Sequence, residues 1–260
     1  MSPLDALTQN VGHIKTALDS TVVFNVAGFP VTQYFLFMVL IWILTIVLII
    51  SVGKRLTLIP TNKFINTVEY GYQMCRRDVS ENIIGEGYKK HVPFLATLFF
   101  FILISNFVGI LPGSKTPTGS ISINWALATC SFVYFNYYGI KAHGGWGYIK
   151  HIAPSGLPVV MVPIIWFFEL VSLILRWLTL TVRLYGNMFA GHMILGILSL
   201  ATGVFITTGI QAMDISGIAS IGWFLLLIAM YALETLVAFL QAYVFTTLSS
   251  VYISLAVSDH

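Results

Sequence analysis

Charge is what this chain has least of. Only 9% of its 260 residues are Asp, Glu, Lys or Arg, against about a quarter in a typical soluble domain. So few charges cannot dress a water-facing surface, and a hydrophobic content of 57% with a mean hydropathy of +0.88 places the chain in a bilayer. Cysteine is almost missing. Cys75 and Cys130 lie in different segments with no ligand spacing, so neither a disulfide framework nor a metal site is supported. The basic residues form no stripe interleaved with stacking aromatics, which argues against a nucleic-acid partner. The first thirty residues lack a basic stretch followed by an apolar core, so no cleaved signal peptide is expected. No internal repeat or low-complexity linker appears, and residues 1–260 read as one membrane domain.

What is present is a series of long apolar tracts. After an N-terminal segment, 1–31, the first span is expected at 32–52, uncharged and close to the ~20 residues needed to cross hydrocarbon. The segment 53–91 then holds seven of the thirteen Lys and Arg residues. By the positive-inside rule it is cytoplasmic, or matrix-facing in a mitochondrion, which puts the N-terminus outside. Within it Phe64, Ile65, Val68, Tyr72 and Cys75 recur at helical spacing, with Lys63, Asn66, Glu69 and Arg76 between them. That pattern predicts an amphipathic helix at the inner interface; a purely solvated helix is the alternative. Two more spans are expected within 92–140, joined by an outer loop around Thr116-Pro117 and Gly119, followed by an inner Gly- and Pro-rich loop at 141–158.

The tract 159–257 breaks the simple count. Its first part, to Gly209, is about 50 residues, or roughly 75 Å of helix, against about 30 Å of hydrocarbon. No Gly, Pro, Asn or Asp interrupts Trp177 to Val182, so one steeply tilted helix is favoured over two upright ones. A polar turn at Gln211 to Gly217 leads to a second overlong tract. The fold class is therefore all-α: about five membrane-crossing helices, an interfacial amphipathic helix and a tilted C-terminal hairpin, with the C-terminus inside.

The few polar residues in the hairpin carry the chemistry. Arg183 sits in Leu178-Thr179-Leu180-Thr181-Val182-Arg183-Leu184-Tyr185-Gly186-Asn187-Met188. A guanidinium cannot shed its proton, and such residues in membrane helices usually face an internal cavity on an ion path. A loop arginine snorkelling to headgroups is the bland alternative, but the tract offers no turn former. Glu169, Arg176 and Arg183 are seven apart and fall within about 20° of one face. Asn187 shares that side, whereas His192 points the opposite way about 13 Å farther on. Glu234 and Gln241 are again seven apart, and Glu234 is the only charged residue between Asp214 and Asp259. Taken singly, His192 could be a packing residue, and Asn187 and Gln241 could be interhelical hydrogen-bonding residues. Together, His192 and Glu234 offer two exchangeable protons beside a charge that cannot exchange.

These residues closely resemble subunit a of the F-type ATP synthase. The resemblance is carried by Glu169-Leu170-Val171-Ser172, by Leu180 to His192 around Arg183-Leu184-Tyr185-Gly186-Asn187, and by Leu240-Gln241-Ala242-Tyr243-Val244-Phe245. Asn106 to Pro112 adds the family's Asn-x-x-x-hydrophobic-Leu-Pro segment. The resemblance implies that Arg183 faces a rotating ring of c subunits, with Asn187 and Gln241 near it. It also implies that His192, Glu234 and Asn106 line a half-channel open to the outside, and that Glu169 lies toward the inner exit. The order His192 then Glu234 is swapped relative to many bacterial members, and Trp177 stands where the family often has proline. The implied partners are the c-ring, the subunit b peripheral stalk, other F-type ATP synthase subunits and the lipid bilayer. No cofactor is implied. The expected location is a bacterial inner membrane, with the mitochondrial inner membrane as the alternative. No Walker-type phosphate loop is present, so the chain is not expected to be catalytic for ATP. A small ion-coupled transporter and a membrane scaffold compete with this reading. A transporter should show repeated halves, and a scaffold gives no reason for an arginine in hydrocarbon.

Overall fold

The structure is a computed structural model and describes residues 22–26, 29–54, 63–111, 114, 116–144, 147–148, 161–212 and 216–257. The start of the N-terminal segment, most of the inner loop and the tip of the hairpin turn lie outside the described residues. Six helices carry the fold: α1 Gln33–Lys54, α2 Lys63–Met74, α3 Val92–Ile110, α4 Ile121–His143, α5 Val162–Ala212 and α6 Ser216–Val257. One feature was not legible as such in the sequence. Strands β1 Val22–Val26 and β2 Phe29–Thr32 form an antiparallel ribbon just before α1.

Gln33–Gly53, Val92–Ile110, Val162–Thr207 and Ser220–Val257 are long and apolar enough to cross a membrane. Helix α4, the expected third span, has sufficient length at 23 residues, but Asn124, Asn136, Lys141 and His143 leave it less apolar than these four. The apolar stretches of α5 and α6 are 46 and 38 residues long. At 1.5 Å per residue they measure about 69 and 57 Å, roughly twice the hydrocarbon thickness, so neither can stand upright within it. Trp177 does not disturb α5, which is helical throughout. Its indole N–H donates to Thr129 Oγ1 at 3.1 Å, and its ring meets Trp125 edge-on.

Helix α6 is the centre of the packing and lies against α3, α4 and α5. Its buried positions are mostly small: Ala238, Ala242, Thr246, Ser249, Ser250 and Ala256. In lipid, association is driven by close packing and interhelical hydrogen bonds rather than by water exclusion, and small residues let backbones approach. The Ser131 hydroxyl donates to Ser249 Oγ at 2.9 Å, joining α4 to α6. Helix α1 is different: of its apolar residues only Ile41 is fully buried, while Leu40, Trp42, Ile43, Val47 and Ile50 point outward.

The expected amphipathic helix is present as α2, but its apolar face is only partly used. Ile65 and Cys75 are buried, whereas Phe64 and Tyr72 are exposed. Gly71 packs on the rings of Phe99 and Phe100, leaving little room for a side chain. After Met74 the helix widens into a π-helix, Cys75–Glu81. The wider turn is supported by Ser80 Oγ, which donates to the Cys75 carbonyl at 2.8 Å, and by Ser250 of α6, which donates to the Val79 carbonyl.

Candidate functional site

The seam between α5 and α6 brings together three of the polar residues singled out by sequence, Asn187, Glu234 and Gln241. On α6, Glu234 and Gln241 are both buried, at 2% and 4% exposure, as their seven-residue spacing requires if one face meets α5. Gln241 Oε1 accepts a hydrogen bond from Asn187 Nδ2 at 2.8 Å. Four residues farther along α5, at Gly191, the Glu234 carboxyl packs onto the helix in the space that any Cβ would fill. The antiparallel register thus puts Asn187 opposite Gln241 and Gly191 opposite Glu234. Gly191 belongs to the quoted motif, yet its function as a seat for the carboxyl is visible only once the helices are paired.

Arg183 lies one turn before Asn187 and is exposed. Among the described residues no carboxylate pairs with it. The expected common face of Glu169, Arg176 and Arg183 holds in part. Arg176 Nη2 stands 3.8 Å from Glu169 Oε2 and its guanidinium lies 5.5 Å from the centre of the Tyr252 ring; Arg183 makes no ion pair with Glu169 but is also near enough to Tyr252 to act on it electrostatically. His192 is on the other side of α5 from Arg183, as the nine-residue offset dictates. His192 and Glu234 do not hydrogen-bond to each other. His192 Nε2, Glu234 Oε1 and Gln241 Nε2 are all buried without a partner among the described residues. Buried polar atoms are ordinarily satisfied by protein or ordered water, so the surroundings of these three atoms are chemically suited to water.

Asn106 joins the site from α3. It is fully buried, and its Nδ2 donates to the Ala238 carbonyl at 3.2 Å, between the levels of Glu234 and Gln241. Its Oδ1 accepts from Thr118 Oγ1 at 2.8 Å, and the Thr118 carbonyl accepts from Asn124 Nδ2 at 2.7 Å. Thr116 continues the chain to Thr118 and to the Ser105 carbonyl. A connected polar row therefore runs from the 116–124 turn through α3 to the backbone of α6. Sequence reasoning chose Asn106 but missed Thr118 and Asn124; an asparagine in an otherwise apolar span was the available signal.

A family described as "ATP synthase A chain" matches residues 35–254. The "ATP synthase subunit a" of Chlorobium phaeobacteroides is 37% identical over 220 residues, covering 82% of this chain and 61% of that protein. That of Chloroherpeton thalassium is 37% identical over 234 residues, covering 85% and 66%. That of a Nocardioides species is 37% identical over 233 residues, covering 88% and 83%. The chain spans about three fifths to two thirds of the length of the Chlorobium and Chloroherpeton proteins. With four helices among the described residues long and apolar enough to cross a membrane and a match over most of its length, this chain belongs to the ATP synthase A chain family and is an integral membrane protein.

Proposed function

We propose that this chain is the stator subunit of a rotary ATP synthase, providing two offset half-channels for protons and coupling their flow to rotation of a c-ring. The observation that carries the reading is the division of polar groups across α5. Arg183 is exposed, with no carboxylate paired to it among the described residues, while His192, nine residues on, points to the other side of α5 and Glu234 lies buried in the α5–α6 seam at Gly191, each with a buried, unpartnered atom. The row from Asn124 through Thr118 and Asn106 approaches the Glu234 level and supports an outer half-channel there.

In this mechanism a proton enters through His192 and Glu234 and neutralises a carboxylate on a c subunit. The ring turns, and the neutral carboxyl faces lipid, where an ionised one would be costly. On reaching Arg183 the ionised form is favoured by the adjacent cation, and the proton leaves toward the inner side past Glu169. The same fixed charge blocks a direct leak between the half-channels. Asn187 and Gln241 brace the helices one turn away. Each elementary charge crossing 100 mV supplies about 2.3 kcal/mol, so several are needed for each ATP. The partners in this reading are the c-ring, the subunit b peripheral stalk and the remaining F-type subunits, in a bacterial inner membrane with the N-terminus outside and the C-terminus inside.

The test is ATP-driven proton pumping by the complex in vesicles. Arg183→Ala should abolish pumping while the chain still co-purifies with a ring of small, carboxylate-bearing subunits. Pumping that survives the substitution overturns the assignment.

A further inference from the structure

A second site lies away from the hairpin. Helices α1, α3 and α4 enclose a cleft of about 550 Å³, lined among others by Met38, Trp42, Ile49, Phe94, Phe101 and Leu127. Its polar-named residues present little polarity. Thr45 Oγ1 donates to its own helix at the Ile41 carbonyl, and Thr97 Oγ1 to the Pro93 carbonyl, both at 2.8 Å. Both hydroxyls are thus occupied within their own helices, and the cleft is walled almost wholly by hydrocarbon.

Size and position decide what it can hold. At about 550 Å³ the cleft has the size of a small-molecule pocket, not that of a groove for a whole membrane helix about 10 Å across and 30 Å long. The α1 wall from Met38 to Ile50 rises about 18 Å, close to the ~15 Å depth of one hydrocarbon leaflet. The end at Ile50 and Phe94 lies toward the basic segment, where Lys89 and Lys90 are exposed one turn before Phe94. Such lysines attract lipid phosphate at the membrane surface.

From this we infer that the α1–α3–α4 cleft is a lipid site, taking one acyl chain of a phospholipid from the leaflet on the basic side, with the headgroup at Lys89 and Lys90. The site is independent of the hairpin chemistry and pins the thinly packed α1 to the rest of the protein.

The experiment uses the assembled complex in vesicles containing phosphatidylglycerol with a diazirine at mid-chain, followed by peptide mapping after illumination. Adducts on the cleft residues Met38, Trp42, Ile49, Phe94 and Phe101 should exceed those on Leu40, Ile43 and Val47, the exposed outward face of the same helix α1, by about fivefold, the scale of one lysine contact at the surface. Thr97→Trp or Cys130→Trp, each filling the cleft, should erase the excess and leave proton pumping unchanged. Even labelling of all exposed apolar faces, or an excess that persists in both variants, overturns the site. Cross-links from these residues to another polypeptide in place of lipid overturn it as well.

Discussion

Asn187 donates its side-chain amide to Gln241 across the α5–α6 seam at 2.8 Å, and the other end of the Gln241 amide is buried without a partner. Gln241 therefore depends on Asn187 for its side-chain hydrogen bond among the described residues. Removing Asn187 strands a buried amide, whereas removing both leaves an apolar contact. A double-mutant cycle of Asn187→Ala and Gln241→Ala, read by unfolding in bilayer-like micelles, should give a coupling near the ~0.6 kcal/mol typical of interhelical hydrogen bonds in membranes. Strict additivity would show that the contact carries no energy.

Gly191 makes a sharper prediction, because the Glu234 carboxyl occupies the place of its absent side chain. Gly191→Ala must push that carboxyl away, at the ~1–3 kcal/mol usual for overpacking. ATP-driven pumping should fall by roughly fivefold or more while the complex still assembles. Glu234→Asp in the same chain withdraws the carboxyl by one methylene and should restore part of the loss. Full activity in Gly191→Ala alone would place the working carboxyl elsewhere.

His192 on α5 and Glu234 on α6 make no direct hydrogen bond, and each leaves a buried atom without a partner among the described residues. If they pass protons through intervening water, the order of imidazole and carboxyl matters less than having both. Exchanging them, with His192→Glu and Glu234→His together, should harm pumping less than His192→Ala or Glu234→Ala alone. An exchange as damaging as losing both groups argues against a shared path.

The parts legible in sequence were those that depend on period and length. The seven-residue spacing of Glu234 and Gln241 put both on one face, and that face is the buried one. The run from Trp177 to Val182 contained no turn former, and α5 crosses it unbroken. What stayed hidden depends on pairing. Nothing local in Gly191 says that a carboxyl 43 positions away will sit on it, and the Thr118–Asn106 contact needs the 116–124 turn folded back over α3. The exposure of Tyr72 was likewise unreadable, since periodicity marks an apolar face without saying how much of it is covered. The β1–β2 ribbon escaped because Val22–Val26 is short and its partner contains Pro30, which demotes a run to an edge strand.

Cys75 provides a pH-dependent prediction outside the spanning helices. The residue is fully buried at the start of the π-helix, and loss of hydration pushes its thiol up to about 12 from an ordinary value of 9.0. The folded state therefore keeps its proton at pH values where the unfolded chain has lost it. Between pH 9.0 and about 12 the unfolded state binds fewer protons, so stability must fall as pH rises across that window and be unaffected by this group below it. In a Cys130→Ser background, labelling by a membrane-permeant maleimide at pH 8 should be negligible until denaturant is added, because the thiolate is the reactive species. Cys75→Ser should flatten the part of the alkaline decline due to this thiol. Rapid native labelling at pH 8 would mean that the π-helix opens readily and that Cys75 is not held in the interior.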